Sequence, residues 1–359
     1  MKNIIKTVIV MLSSVSLFAS ANAGELSVSG SAKATYNILT GKTNVGKGLG
    51  VTNELNFTAS GETDAGYTWS YSMELDPNAV SAGSGTSAAG AENDDTKLTL
   101  GTPYGTVGVF ISEGGLDVED AASQSVYARP TDMGDPSNTS DNFTIDSYNN
   151  VQYHTPADLL PFGTSFKVAY APNIADDAAG ASGNNAGAVS TISSTNTTGN
   201  SATEMQLKTS PVDGLTLGAS YFEFEGQGLA KVAQQGESGA YYGTYATGPV
   251  SFGYSKAYKA PQVNNGTAAS YATLVDYYDQ TNYSVAFAAS DDLSVSYERE
   301  TSEKILHNAS SVEQESSAVQ VAYSMGGMTL AVSHGSHDNV GYTDGENQDQ
   351  TLFAVTMAF

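Results

Sequence analysis

The stretch TLFAVTMAF, Thr351 to Phe359, alternates without a break: Phe353, Val355, Met357 and Phe359 are large and apolar, while Ala354, Thr356 and Ala358 are small or polar. A period of two places these sets on opposite faces of an extended strand. The first run of this kind, ELSVSGSAKATYNIL from Glu25, reads the same way. Leu26, Val28, Ala32, Ala34, Tyr36 and Ile38 share one face, and Ser27, Ser29, Ser31, Lys33, Thr35 and Asn37 the other.

Working outward from these two runs, alternation predicts sixteen strands, near 25–38, 51–61, 66–75, 95–101, 105–111, 148–155, 164–171, 202–210, 214–223, 239–247, 250–258, 280–290, 293–301, 314–324, 328–336 and 350–359. Gly, Asn, Asp and Pro punctuate them, and few stretches keep a helical period. The fold class is therefore all-β.

The connections alternate in length. GETDAG, TPYG, SPVDG, TGP, SDD and MGGM are short turns, whereas 76–94, 112–147, 172–201 and 259–279 are long. A soluble sandwich has no reason to gather its long loops at one end. A membrane barrel does, with short turns on the side it inserts from. Tyr36, Phe57, Tyr67, Trp69, Tyr170, Tyr221, Tyr254, Tyr283, Tyr297, Tyr323 and Phe359 share parity with the aliphatic residues of their strands, as interfacial aromatic girdles would. With sixteen strands the interior is too wide for side chains to fill, so polar inward faces line water. The first and last strands then pair near Leu26, leaving no open edge in lipid.

Composition agrees. Residues 1–23 carry Lys2 and Lys6, an apolar stretch from Val8 to Ala19 and the small-residue signal Ala21-Asn22-Ala23, and so read as an export leader ahead of a barrel over 24–359. Without cysteine, stability does not come from disulfides. The formal charge of −24 becomes more negative still without the two leader lysines, which excludes nucleic acid as a partner.

Three stretches resemble the trimeric general porins of Gram-negative outer membranes. LTLGTPYGTVGVF (Leu98 to Phe110) is similar to that family's fourth strand, Gly-bounded turn and fifth strand. NNVQYHTP (Asn149 to Pro156) is similar to its sixth-strand pattern of Asn, Val, Tyr and Ser-Pro, with Thr155 in place of Ser. The closing strand ends in Phe359, as the family's does.

The resemblance implies a sixteen-stranded antiparallel transmembrane barrel, three per assembly, surrounded by outer-membrane lipid and needing no cofactor. Each pore would pass small hydrophilic solutes and be narrowed by the third long loop, here 112–147. Phe359 would be the signal read by the barrel-assembly machinery, and the 76–94 loop the subunit latch. SEGGLD (Ser112 to Asp117) is similar to the family's constriction signature, with Glu113 and Asp117 the matching acids. The chain also departs from the family. Phe110 and Ile111 stand where an arginine is expected, and the only arginines are Arg129 and Arg299.

The third loop holds Glu113, Asp117, Glu119, Asp120, Asp132, Asp135, Asp141 and Asp146 against one base, Arg129. Inward parity on the wall supplies Lys33, Lys97, Lys167 and Lys208 together with Glu54, Glu74 and Glu204. Carboxylates at a narrow, partly desolvated point attract cations. The expectation is a cation-preferring pore with Glu113, Asp117, Glu119 and Asp120 at the constriction. Glu119 with Asp120, or Asp176 with Asp177, could ligate calcium, although no EF-hand spacing occurs.

Other motifs carry less. GKTNVGKG (Gly41 to Gly48) has Gly48 where a phosphate-binding loop needs Ser or Thr. His334 and His337 fall on opposite strand faces and make no zinc pair, and His154 faces the lumen. The alternatives are a substrate-selective channel on the same barrel or a secreted β-rich adhesin without a pore. A hydrolase lacks its catalytic residues, so the chain is not expected to be an enzyme.

Overall fold

The computed structural model describes residues 26–42, 45–76, 92–133, 141–174, 201–225, 232–264 and 274–359. Its strands are β1 (Leu26–Gly41), β2 (Gly46–Glu62), β3 (Thr68–Asp76), β4 (Glu92–Thr102), β5 (Gly105–Ile111), β6 (Asn150–His154), β7 (Ser165–Ala171), β8 (Ser201–Val212) and β9 (Leu215–Glu225). They continue with β10 (Val232–Gln234), β11 (Glu237–Thr247), β12 (Val250–Ala260), β13 (Val263–Asn264), β14 (Val275–Ala288), β15 (Leu293–Leu306), β16 (Val312–Met325), β17 (Met328–Asp338) and β18 (Gln348–Ala358). All but β10 and β13 form one closed antiparallel barrel of sixteen strands, each paired with its neighbours in chain order and β18 paired with β1. The two short strands pair with each other outside it.

Every expected strand is present, and several run further than the apolar alternation does. β2 begins at Gly46, β14 at Val275, and β15 continues to Leu306. On β15 the outward positions change from Val295 and Tyr297 to Arg299, Thr301 and Glu303, so the apolar signal ends while the hydrogen-bond ladder continues. The seam differs from expectation. Leu26 pairs with Ala59 of β2, and β18 meets β1 only from Ser31 onward, with Gly30 and Phe359 bonded just beyond. The first few residues of β1 thus extend past the closing strand.

Side-chain orientation follows parity. Val28, Val51, Leu98, Leu207, Phe252, Tyr283, Tyr297, Val319, Val332 and Phe353 are exposed on the outer face. Rings there meet at a tilt from strand to strand, with Tyr241 and Tyr254 centred 6.4 Å apart and Tyr254 and Tyr283 5.2 Å apart. Two outward ion pairs join them: Lys256 with Asp279 at 2.7 Å, and Arg299 with Glu315 through two 2.7 Å hydrogen bonds. The inner face carries Gln152, Ser255, Asn282, Glu298, Gln320, Ser333 and Gln350, all buried. They are buried because a loop lies over them.

The turns opposite the long loops are tight. Between β8 and β9 the chain reverses at Gly214, whose φ of +76° is left-handed and whose missing Cβ would strike the Ala246 carbonyl. The expected leader (1–23), residues 77–91 of the 76–94 latch, Asp135 and the Asp176–Asp177 pair lie outside the described residues.

Candidate functional site

The segment between β5 and β6 turns inward as soon as it leaves the wall. Ser112 and Gly114 take positive φ of 51° and 86°, and β6 receives the chain: Gln152 Nε2 donates to the Gly114 carbonyl at 2.5 Å and Asn150 Nδ2 to the Glu113 carbonyl at 3.1 Å. From there the outgoing limb follows the inner wall almost to the seam. Val118 N donates to Ser220 Oγ on β9 at 3.2 Å, and Ser255 Oγ on β12 donates to the Glu119 carbonyl at 2.8 Å. Ser284 Oγ on β14 donates to the Ala122 carbonyl at 2.7 Å. Next, Ser123 and Ser125 both donate to Glu298 Oε2 at 2.6 Å, and Tyr127 N donates to Gln320 Oε1 at 3.0 Å. At the far end Met133 docks on three strands. Gln320 Nε2 lies 4.0 Å from its sulfur, Ser333 Oγ donates to that sulfur at 2.7 Å, and Gln350 Nε2 donates to its carbonyl at 2.6 Å.

Short polar side chains at inward positions thus satisfy a backbone that has no sheet to pair with. A return limb, 141–149, comes back over β11 and β8, where Phe143 N donates to Ser238 Oγ at 3.1 Å and Ile145 N to Glu204 Oε2 at 2.9 Å.

An apolar cluster inside the lumen fixes both limbs. Leu116 and Ile145 are buried against Phe222 and Phe224 of β9, with Phe143 5.6 Å and 4.9 Å from those two rings. Burying such side chains contributes about 1.5–3 kcal/mol each, so the docked loop is held by more than hydrogen bonds. Close approach also needs small wall residues. A Cβ on Gly253 would collide with the Ala122 carbonyl, and one on Gly335 would lie 2.6 Å from Met133 Cε.

The sequence-predicted residues fall into three groups. Glu113 pairs with Lys97 across the loop entrance, and the Lys33 ammonium sits 5.6 Å from the centre of the Tyr127 ring, so two wall lysines face the loop and are engaged by it. Glu54 accepts from Asn56, and with Glu74 it lies on the inward parity of β2 and β3. Lys167 and Lys208 stand on the inner wall of β7 and β8, with His154 opposite Lys167 in register and its Nε2 bonded to Gln152 Oε1 at 2.8 Å.

Two residues expected to face the pore do not. Glu204 is 1% exposed beneath the loop, where its Oε2 accepts from Leu116 N at 3.2 Å and from Ile145 N. It ties both limbs to β8 rather than lining water. Glu119 is likewise buried, with both oxygens accepting from Asn142 N at 2.9 and 2.8 Å. Burial, reinforced by the charge of Asp120, pushes its pKa up to about 9. It is held protonated at neutral pH, and it contributes no charge to the pore. Burial raises Asp117 and, nearby, Asp146.

Asp120 turns to Arg129. Glu119 and Asp120 are therefore both engaged elsewhere, and no three His, Asp or Glu side chains converge on a metal position among the described residues. His334 and His337 do lie on opposite faces, the first exposed outward and the second buried on Ser316 Oγ at 3.0 Å.

Sequence reasoning missed Glu298 and Glu300, the carboxylates that receive the loop on β15. Their inward parity was visible in SVSYERET. What they receive was not, because a loop of this length has no period from which to read its course.

A family model described as Gram-negative porin matches residues 7–359. Among solved structures, OmpF of Salmonella typhi in complex with daunomycin is similar at 12% identity, a TM-score of 0.64, and coverage of 94% of this chain and 98% of that one. Two variants of the Rh. blastica porin are similar at 15% and 13% identity, with TM-scores of 0.60 and 0.58, each covering 93% of this chain and 100% of theirs. No protein of curated function matches the sequence. At such identities the structural likeness speaks for the fold alone, but the family match spans nearly the whole chain. The chain belongs to the Gram-negative porin family, and its barrel is a barrel of the outer membrane.

Proposed function

We propose that the barrel passes small hydrophilic solutes and ions by passive diffusion, with a preference for cations, and that three copies assemble in the outer membrane. In this reading residues 1–23 direct export through the periplasm and are removed, and Phe359 is the element the assembly machinery recognises. No catalysis and no cofactor are assigned to it.

One observation supports the cation preference above the rest. Asp120, Asp132 and Asp141 all meet the single guanidinium of Arg129, yet about half of each side chain stays open to water, at 49, 48 and 57%. Burial raises Asp120 to about 7, so above that pH three carboxylates against one guanidinium leave a negative edge on the lumen side of the loop. On the facing side, Lys97 is neutralised by Glu113. A fixed negative edge at a constriction raises local cation concentration and lowers that of anions.

The test is a planar bilayer recording on detergent-extracted protein. A zero-current potential under a potassium chloride gradient should take the sign of potassium permeation, with current steps in threes. Chloride preference would overturn the selectivity, and absence of steps would reject the pore.

A further inference from the structure

We infer that Arg129 is a positioning residue that sets both the width and the charge of the constriction, an inference that rests on the pore reading above. Its guanidinium joins three parts of the molecule. Nε and Nη2 donate to Asp132 at 2.8 and 2.9 Å on the outgoing limb, where Nη1 also meets Asp120. Nη2 lies 3.8 Å from Asp141 on the return limb, and Nη1 donates to Glu300 of β15 at 3.3 Å. Five donors in one rigid plane suit such a junction, and a lysine would not span it.

Glu300 completes the anchor by accepting from Thr131 N at 3.1 Å and Thr131 Oγ1 at 2.6 Å, and from Asn282 Nδ2 at 3.2 Å. The Arg129 side chain is 10% exposed, matching Glu300, while its aspartate partners stay half in water. The in-plane donors of one guanidinium therefore serve both the wall and the half-exposed aspartates, with Nη1 shared between Glu300 and Asp120.

Two separable consequences follow. Held by the fork, the limbs stay against β15 and the opening keeps a fixed width. Neutralised by the charge, the aspartate edge is weaker than its acids alone would make it.

Recordings on Arg129→Gln, Arg129→Lys and Asp132→Asn separate these. Arg129→Gln uncovers the aspartates and should raise the potassium-to-chloride permeability ratio roughly twofold or more, as one added net charge within about 8 Å of the permeating ion does in water, and also increase open-channel noise. Arg129→Lys keeps the charge and loses the fork, so the ratio should hold while noise rises. Asp132→Asn keeps the arginine and should lower the ratio by a similar factor.

A purely structural role would move the noise and leave the ratio alone. Unchanged ratios in both Arg129→Gln and Asp132→Asn overturn the inference while the wild-type channel still conducts. If Arg129→Gln does not assemble, Asp132→Asn and Arg129→Lys decide it by the same readouts. A silent wild-type protein would instead sink the pore reading.

Discussion

Gly30 and Phe359 exchange two backbone hydrogen bonds, Gly30 N to the Phe359 carbonyl at 2.8 Å and Phe359 N to the Gly30 carbonyl at 2.9 Å, and this pair locks the foot of the barrel seam. A Cβ on Gly30 would lie 2.7 Å from the Glu54 carbonyl and 2.8 Å from Cε2 of Phe359, whose ring leans across the glycine. Gly30→Val should therefore obstruct closure and reduce the folded fraction several-fold. Gly46→Val, in open space on β2, should not. Loss of heat-dependent gel mobility in the first variant and its retention in the second is the expected result. Removing Phe359 should likewise impair assembly before it alters conductance.

Among the described residues, Glu204 is the one wall carboxylate that receives both limbs of the constriction loop, at Leu116 N and Ile145 N. Glu204→Ala orphans two buried donors, each worth about 1–3 kcal/mol, while the strand that carries it is untouched. The barrel should assemble, and the loop should detach locally, giving larger and noisier single-channel conductance. Glu204→Gln retains an acceptor oxygen and should be milder. Equal conductance in Glu204→Ala and wild type would show that the apolar cluster alone holds the loop.

The barrel was legible because it is written in period two, and closure follows from the cost of an open edge in lipid. The loop's course was not legible, because its partners are isolated inward residues scattered over most of the barrel strands and no local pattern links Tyr127 to Gln320 or Met133 to Gln350. Phe222 and Phe224 are the instructive case. Their inward parity breaks the polar lumen pattern, and they do so because loop side chains dock there. Glu119 misled for the opposite reason. An acid in an acidic loop reads as pore-facing, and only the fold turns it onto Asn142. Arg129 was visible as the sole base in the segment, but its reach to Glu300 depends on where the loop lies.

Gly253 carries a steric prediction. Its hydrogen faces the Ala122 carbonyl, at a turn where Ser284 Oγ also donates to that oxygen. Gly253→Val leaves no room for the 120–122 turn on β12, so the loop should be displaced with the sixteen-stranded wall intact. Conductance should rise and the loop should become cleavable by added protease, whereas an uncleaved, wild-type channel would contradict the docked position.

Glu119 makes the docked loop sensitive to pH. A carboxyl whose pKa is raised holds a proton in the docked state that the free loop releases above its ordinary value of 4.5. Its contribution to docking is then complete below about 4.5 and declines as pH rises toward about 9. The surroundings fit this direction. Burial is the main cause and the charges of Asp120, Asp141 and Asp117 add to it, while the donation from Asn142 N opposes it. Ionisation would place a second charge beside Asp120 in a site that burial keeps from water, and the loop should loosen to hydrate it. Open-channel fluctuations should therefore grow several-fold between pH 6 and pH 10 in the wild type. Glu119→Gln, permanently neutral and still an acceptor for Asn142 N, should stay quiet across that range. If the variant and the wild type show the same rise, the titrating group lies elsewhere on the loop, and Asp120, which burial raises to about 7, becomes the residue to substitute next.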